Sequence, residues 1–330
     1  METQELLLVA IENPLLDISV ELENDELLTK YGLQHGHACL AEDKHLPLYD
    51  EIWRFEGVQK IPGGSSLNTT RSCNFMLKDS HPRACAFFGS IGQDEIGKVL
   101  EKELEDSGVH GYFHKDEGTP TGSCAVLINK QERTLCANLA ACLKYPTEHL
   151  KHHLGVLEKA RMFYTSAFFI TSNFEALLMY AKFAAEHDKP LGYNLSATFL
   201  IKFNTEQVNA ILEYADFVFC NEDEAKEFAV TNGVAHESLK DVAVALANWK
   251  KVNAARPRVA VVTQGKEPVL VASSVDGATS FKEHPVPLLS KEQIVDTNGA
   301  GDSFVGAFLA QIVQGKDVDT AVKAGIWLSS

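Results

Sequence analysis

A chain of 330 residues with 45% hydrophobic and 23% charged side chains has ample material for a core, and points to one large domain or one carrying a lid. Its formal net charge of −15 and pI near 5.2 exclude the basic face that nucleic acid or an anionic membrane requires, so any anionic ligand must be held by local donors. Seven cysteines, at 39, 73, 85, 124, 136, 142 and 220, form no C-x-x-C pair; the odd count predicts reduced thiols in the cytoplasm, with the nucleus as an alternative, rather than a disulfide framework.

The first segment, METQELLLVAIENP, has no positive start, and its apolar run ends after Ile11. It predicts a buried strand rather than a signal peptide or a membrane span. Further strands are predicted at ACAFFG (84–89), MFYTSA (162–167), LGYNLS (191–196), DFVFC (216–220) and RVAVVTQG (258–265). Stretches of helical period separate them, among them DEIGKVLEKELEDSG, with Asp94 and Glu95 at its start and Gly108 at its stop, and NFEALLMYAKFAAEH. This alternation predicts an α/β fold, a mostly parallel sheet with helices on both faces. Two regions break it: 17–62, and 120–139, where GSCAVLIN and RTLCANLA read as a hairpin around KQE. They predict a small β-rich lid over a large domain made of 1–16, 63–119 and 140–330.

Two stretches imitate other sites. GQDEIGKV, Gly92–Val99, fits G-x-x-x-x-G-K but lacks the hydroxyl residue of a P-loop and would put Asp94 and Glu95 in a phosphate cradle, so it predicts a helix start. HLKHH, 149–153, spaces histidines along a helix with no carboxylate or thiol partner, which predicts a solvated face rather than a metal site.

The turn that concentrates chemistry is DTNGAGDSF, 296–304. Gly299 and Gly301 let backbone N–H groups converge at the mouth of a helix predicted to end at Gly315, which makes an anion site. A carboxylate there either complements the helix dipole or accepts the proton of a hydroxyl attacking phosphorus. Phosphoryl transfer is the chemistry that uses an anion site and a base together.

DTNGAGDSFVGAF resembles the signature of the ribokinase-like (PfkB) carbohydrate and nucleoside kinases. NPLLDIS, LAEDKH, GGSSLN, FFGSIGQDEIG, PTGSC, ANLAA, NLSATF and TQG follow in order and narrow the resemblance to the adenosine kinases of that family, over nearly the whole chain. The resemblance implies transfer of the γ-phosphoryl of Mg²⁺-bound ATP to the 5′-hydroxyl of adenosine by a monomer. It implies Asp302 as the base and the amides of Gly299, Ala300 and Gly301 around the phosphoryl group. Asp17 and Asn68, with Gly63 and Gly64, would hold the ribose diol, Asn13 and Ser65 standing on the same side. Phe168 would stack on adenine between Leu15, Leu40, Leu135 and Ala137, near Cys124. Arg133 would reach the phosphates from the lid, and Asn221 and Glu224 would organise Mg²⁺, Glu224 through water. Thr263, Gly265 and Asn298 would belong to the ATP side.

Read without the resemblance, each of these has a plainer role: Phe168 and Phe169 as core, Asn221 and Glu224 as a helix start, Gly63 and Gly64 as a turn, Arg133 as a solvated hairpin residue. The chain also departs from the resemblance. Glu12 stands where a glycine is usual, Leu67 where a polar residue is, and Ile326 and Trp327 where a histidine and an aromatic are. The family's chains continue through a further strand and tail after AGIWLSS, which implies an uncovered sheet edge here. A non-catalytic nucleoside-binding protein and a related nucleoside or sugar kinase are the alternative readings.

Overall fold

Nine strands form one sheet and five another among residues 5–129, 132–275, 278–288 and 299–330, which this computed structural model describes. In chain order they are β1 (Leu6–Ile11), β2 (Leu15–Glu21), β3 (Ala38–Leu40), β4 (Gln59–Gly63), β5 (Cys85–Gly92), β6 (His110–Asp116), β7 (Ser123–Asn129), β8 (Glu132–Asn138), β9 (Ala160–Ser166), β10 (Leu191–Asn194), β11 (Phe217–Asn221), β12 (Arg258–Gln264), β13 (Glu267–Val275) and β14 (Ala278–His284).

The larger sheet runs β14-β13-β12-β11-β10-β9-β1-β5-β6. From β12 to β6 every neighbouring pair is parallel, while β13 and β14 close the other edge as antiparallel neighbours. β1 and β5 are buried at every position, as strands covered by helices on both faces must be. Along β1, Val9 and Ile11 enter one apolar core with Phe163, Phe169 and Tyr180; Leu8 and Ala10 enter the other with Phe87, Phe304 and Phe308.

All six predicted strands are present, displaced at their ends by up to three residues. β2, β4, β6 and the β13–β14 pair carry polar positions or short runs that the apolar pattern did not single out. The hairpin of β7 and β8 is antiparallel as expected; Lys130 and Gln131 of its predicted turn lie outside the described residues.

The helix signals correspond to physical caps. Asp94 accepts from Gly97 N at 2.8 Å to start the Glu95–Asp106 helix, and Gly108 follows its end at φ +74°. Asp94 also accepts from Thr121 N and Oγ1, so the P-loop look-alike holds its own carboxylate where a phosphate would sit. The Ile170–Glu186 helix breaks at Asn173, whose Oδ1 accepts from Ala176 N at 2.9 Å and restarts it where the pattern begins.

The histidine stretch corrects one expectation. His149 and His153 are half-buried, with rings 4.5 Å apart, and pack edge-on against Phe88; only His152 faces solvent. A 3.6-residue period does not distinguish a solvated stripe from one covered by β5 and β6. No group of three or more metal-ligating side chains occurs among the described residues.

The smaller sheet runs β3-β8-β7-β2-β4. Its two faces differ by strand parity. Leu16, Ile18 and Val20 of β2, Ala125 and Leu127 of β7, and Cys136 of β8 pack with Leu27, Leu48 and Ile52 from the helical segments. Leu15, Cys124, Val126, Leu135 and Ala137 occupy the opposite face. Asp17 shares the parity of Leu15 and so faces the same way.

Candidate active site

A cavity of about 320 Å³ lies where that second face meets the carboxyl ends of the larger sheet's strands. Ligand sites of open α/β sheets collect at this end. β1 delivers Glu12 and Asn13, β9 leads into Phe168, β10 ends at Asn194 and leads into Ser196, β11 ends at Asn221, and β12 carries Thr263 next to its last residue.

Asp302 sits in the first turn of the Ala300–Val313 helix, whose cap, Gly299, has φ +72°, a backbone that favours glycine. This helix packs tightly against the Ser65–Leu77 helix: a Cβ on Gly306 would stand 2.5 Å from Thr69 O and from Ser72 Cβ. The close approach brings two side chains of the second helix onto one carboxylate. Ser65 Oγ donates to Asp302 Oδ1 at 2.7 Å and Asn68 Nδ2 donates to Oδ2 at 3.2 Å. Burial pushes the Asp302 carboxyl up to about 6, against the pull of these two donors.

Across the cavity, burial pushes Asp17 up to about 7, with the Asp302 charge adding to the rise and Arg133 opposing it. Gly63 has no room for a side chain because the Asp17 carboxylate lies over it; a Cβ there would stand 2.3 Å from Oδ2. At Gly64, φ +105° and the Asn13 carbonyl, 2.4 Å from an added Cβ, likewise demand glycine. Asn13 spends its amide on scaffold: Nδ2 donates to Phe168 O at 3.1 Å and Oδ1 accepts from Ser172 Oγ at 2.6 Å. The two phenylalanines divide, Phe168 lining the cavity and Phe169 buried edge-on against Tyr145.

Asn221 caps the Glu222–Asn232 helix, accepting from Asp223 N and Glu224 N, and donates from its own N and Nδ2 to the two oxygens of Glu224, each at 3.0 Å. Burial pushes Glu224 up to about 7. Both Glu224 oxygens are thus already engaged. The pair fits contact with a hydrated cation better than direct ligation.

Of the residues expected at a site, Asn13, Leu15, Asp17, Leu40, Gly64, Ser65, Asn68, Cys124, Leu135, Ala137, Phe168, Asn221, Glu224, Thr263, Gly301 and Asp302 line this cavity. Gly63, Gly299 and Ala300 adjoin it through Asp17 and Asp302, and Arg133, on β8, is near enough for its charge to act on Asp17. Gly265 lies in the β12–β13 turn at φ +57°, off the lining, and Asn298 lies outside the described residues. Sequence reasoning did not assign Asn194, Ser196, Phe199 or Phe219 to the site; Glu12, which stands where a glycine is usual, lines it as well. NLSATF carried the signal for three of them, and Ser196 holds a positive φ of 68°, a strain that collects at functional sites.

Residues 25–330 match the pfkB family carbohydrate kinase description. The chain belongs to that family. Within it, the pfkB chain is 40% identical to adenosine kinase 2 of Arabidopsis thaliana, over 98% of its own length and 92% of that protein's. It is 40% identical to the adenosine kinase of Dictyostelium discoideum over 96% of its length and 91% of that protein's. The crystal structure of Anopheles gambiae adenosine kinase with P1,P4-di(adenosine-5) tetraphosphate superposes with a TM-score of 0.93 at 41% identity, covering 98% of this chain and 94% of that one. The ribokinase-like fold, a large mostly parallel sheet with helices and a second sheet, is common to both.

Proposed function

We propose that this pfkB kinase transfers the γ-phosphoryl group of ATP to the 5′-hydroxyl of adenosine, giving AMP and ADP. The observation that carries the reading is the Asp302 carboxylate, held by two donors at a glycine-capped helix start and sharing a mostly apolar cavity with Asp17. The likeness to named adenosine kinases over almost the whole chain supports adenosine as acceptor, as does a relative's complex with a ligand whose two adenosines are joined by four phosphates.

In this reading, ionised Asp302 takes the proton of the 5′-hydroxyl as its oxygen bonds to the γ-phosphorus and the bond to the β,γ-bridging oxygen breaks. Backbone N–H groups at Gly299–Gly301 donate to the transferring group, where negative charge concentrates. Asp17 accepts from the ribose diol, and Phe168 offers a face to the base among Leu40, Leu135 and Ala137. The smaller sheet acts as a lid that brings Arg133 to the phosphates and excludes water. Asn221 and Glu224 would hold the water shell of a Mg²⁺ bound with ATP, which would neutralise phosphate charge, and Thr263 would lie on the ATP side. The free thiols at all seven cysteines support a reducing compartment, cytoplasm or nucleus, and the enzyme acts as a monomer.

The test is AMP formation from adenosine and ATP by the chain and by Asp302→Asn. Loss of a general base lowers kcat by about 10²- to 10⁴-fold while adenosine still binds in a calorimeter. Turnover of ribose or fructose but not adenosine would replace the reading with a sugar kinase, and binding without turnover in the unaltered chain with a binding protein.

A further inference from the structure

One buried carboxylate in the cavity has no part in this mechanism. Glu12 follows β1, an interior strand of the larger sheet, is 2% exposed, and its backbone N donates to Phe88 O of β5 at 3.0 Å. Its Oε2 accepts from Ser66 N at 2.5 Å. Ser66 is the second residue of the Ser65–Leu77 helix, whose cap is Gly64, a residue with no side chain to satisfy the free N–H groups of the first turn. Glu12 therefore supplies from another element the cap that the helix cannot supply for itself. The same turn presents Ser65 and Asn68, the two donors that hold Asp302.

We infer that Glu12 is a positioning residue for phosphoryl transfer: by capping the Ser65–Leu77 helix through Ser66 N, it fixes Ser65 and Asn68 against Asp302. The kinetic half of this inference rests on the activity proposed above; the structural half does not. The strut runs from the end of an interior strand through one carboxylate to the helix start, then through two side chains to the base. Its non-covalent links are hydrogen bonds between named atoms, and the backbone of the first helical turn joins Ser66 to Ser65 and Asn68. Burial holds the Glu12 carboxyl up at about 7, with the Ser66 and Ser166 hydrogen bonds opposing and the Asp302 charge adding to the rise. Tyr164 and Cys142 also feel its charge. A protonated carboxyl still offers its carbonyl oxygen to Ser66 N, so the cap survives either state, and the reach of the acceptor decides the outcome rather than its charge.

Three variants separate reach from charge. Glu12→Gln keeps an oxygen at the same distance, Glu12→Asp keeps the charge but draws the acceptor back by one methylene, and Glu12→Ala removes both. Amide hydrogen exchange at 65–68, read on the unliganded protein with the rest of the sheet as internal reference, is expected to quicken at least about tenfold in E12D and E12A and to stay near the unaltered rate in E12Q. In turnover, E12D and E12A are expected to lose about 10- to 100-fold in kcat with KM for ATP within about twofold, and E12Q to keep most of it. The loss in E12D combined with Ser65→Ala is less than the product of the two single losses, because both act on the same carboxylate. Unchanged exchange in E12D overturns the inference, as does E12Q falling as far as E12D, or full kcat in E12A. If the unaltered chain made no AMP, the proposed activity would fall and the exchange measurement alone would decide the role of Glu12.

Discussion

Asp302 is useful as a base only when ionised, and its environment holds it up at about 6. The rate with adenosine is therefore expected to fall about tenfold per pH unit below that value, read as the acid limb of kcat/KM. The same shift enters stability with the opposite sense. Between the ordinary Asp value of 3.8 and about 6, the folded chain binds a proton at this site that the unfolded chain has lost. Its stabilising contribution is present at low pH and disappears as pH rises through that window. Asp302→Asn has no such loss, so its melting temperature should gain on the unaltered protein's from pH 4 to pH 7. A variant-minus-unaltered difference that falls over that range would contradict the assignment. Gly64 is a second single-residue constraint: Gly64→Ala meets both a positive φ and the Asn13 carbonyl, at an expected cost of about 1–3 kcal/mol in unfolding free energy and a raised KM for adenosine.

Among elements, the Ser65–Leu77 and Ala300–Val313 helices approach closely at Gly306. A methyl there forces the helices apart, so Gly306→Ala should cost about 1–3 kcal/mol in denaturant unfolding and lower kcat more than KM for adenosine, since Asp302 moves away from its donors. What the sequence shows of the site follows the same division into local and non-local. The glycine–aspartate turn is legible because its cap, its anion site and its acid are neighbours in the chain. Asp17 is legible only through its place in NPLLDIS; that Leu16, Ile18 and Val20 share one face and Leu15 and Asp17 the other emerges once β2 is seen as a strand. Phe168 and Phe169 cannot be told apart by local pattern, only by the resemblance; the short Ala167–Phe169 turn after β9 sends one into the cavity and the other into the core. Asn194, Ser196 and Glu12 reach the site only because β10, β9 and β1 lie side by side, an order that no local period encodes. His149 and His153 fail for the same reason: what covers a helix stripe is decided by strands far away in the chain.

Over the whole molecule, a formal charge of −15 and four acids with raised pKa values, Glu12, Asp17, Glu224 and Asp302, make the cavity a poor place for bare ATP. Chelating Mg²⁺ with EDTA should abolish turnover and weaken ATP binding while leaving the calorimetric affinity for adenosine, a neutral ligand, nearly unchanged. Equal loss of both ligands would mean that the metal holds the fold rather than the phosphates. The described residues contain no helix long and apolar enough to cross a membrane, and the cavity wall that carries Leu15, Leu135 and Ala137 comes from a separate five-stranded sheet.

The bond between Ser65 and Asp302 joins residues 237 positions apart. Helices and hairpins can form locally in a collapsing chain, but this contact must wait until the two ends of the polypeptide meet. In a refolding experiment begun from denaturant, far-ultraviolet circular dichroism should therefore recover first and AMP synthesis last, with the lag between them timing the closure of the chain upon itself.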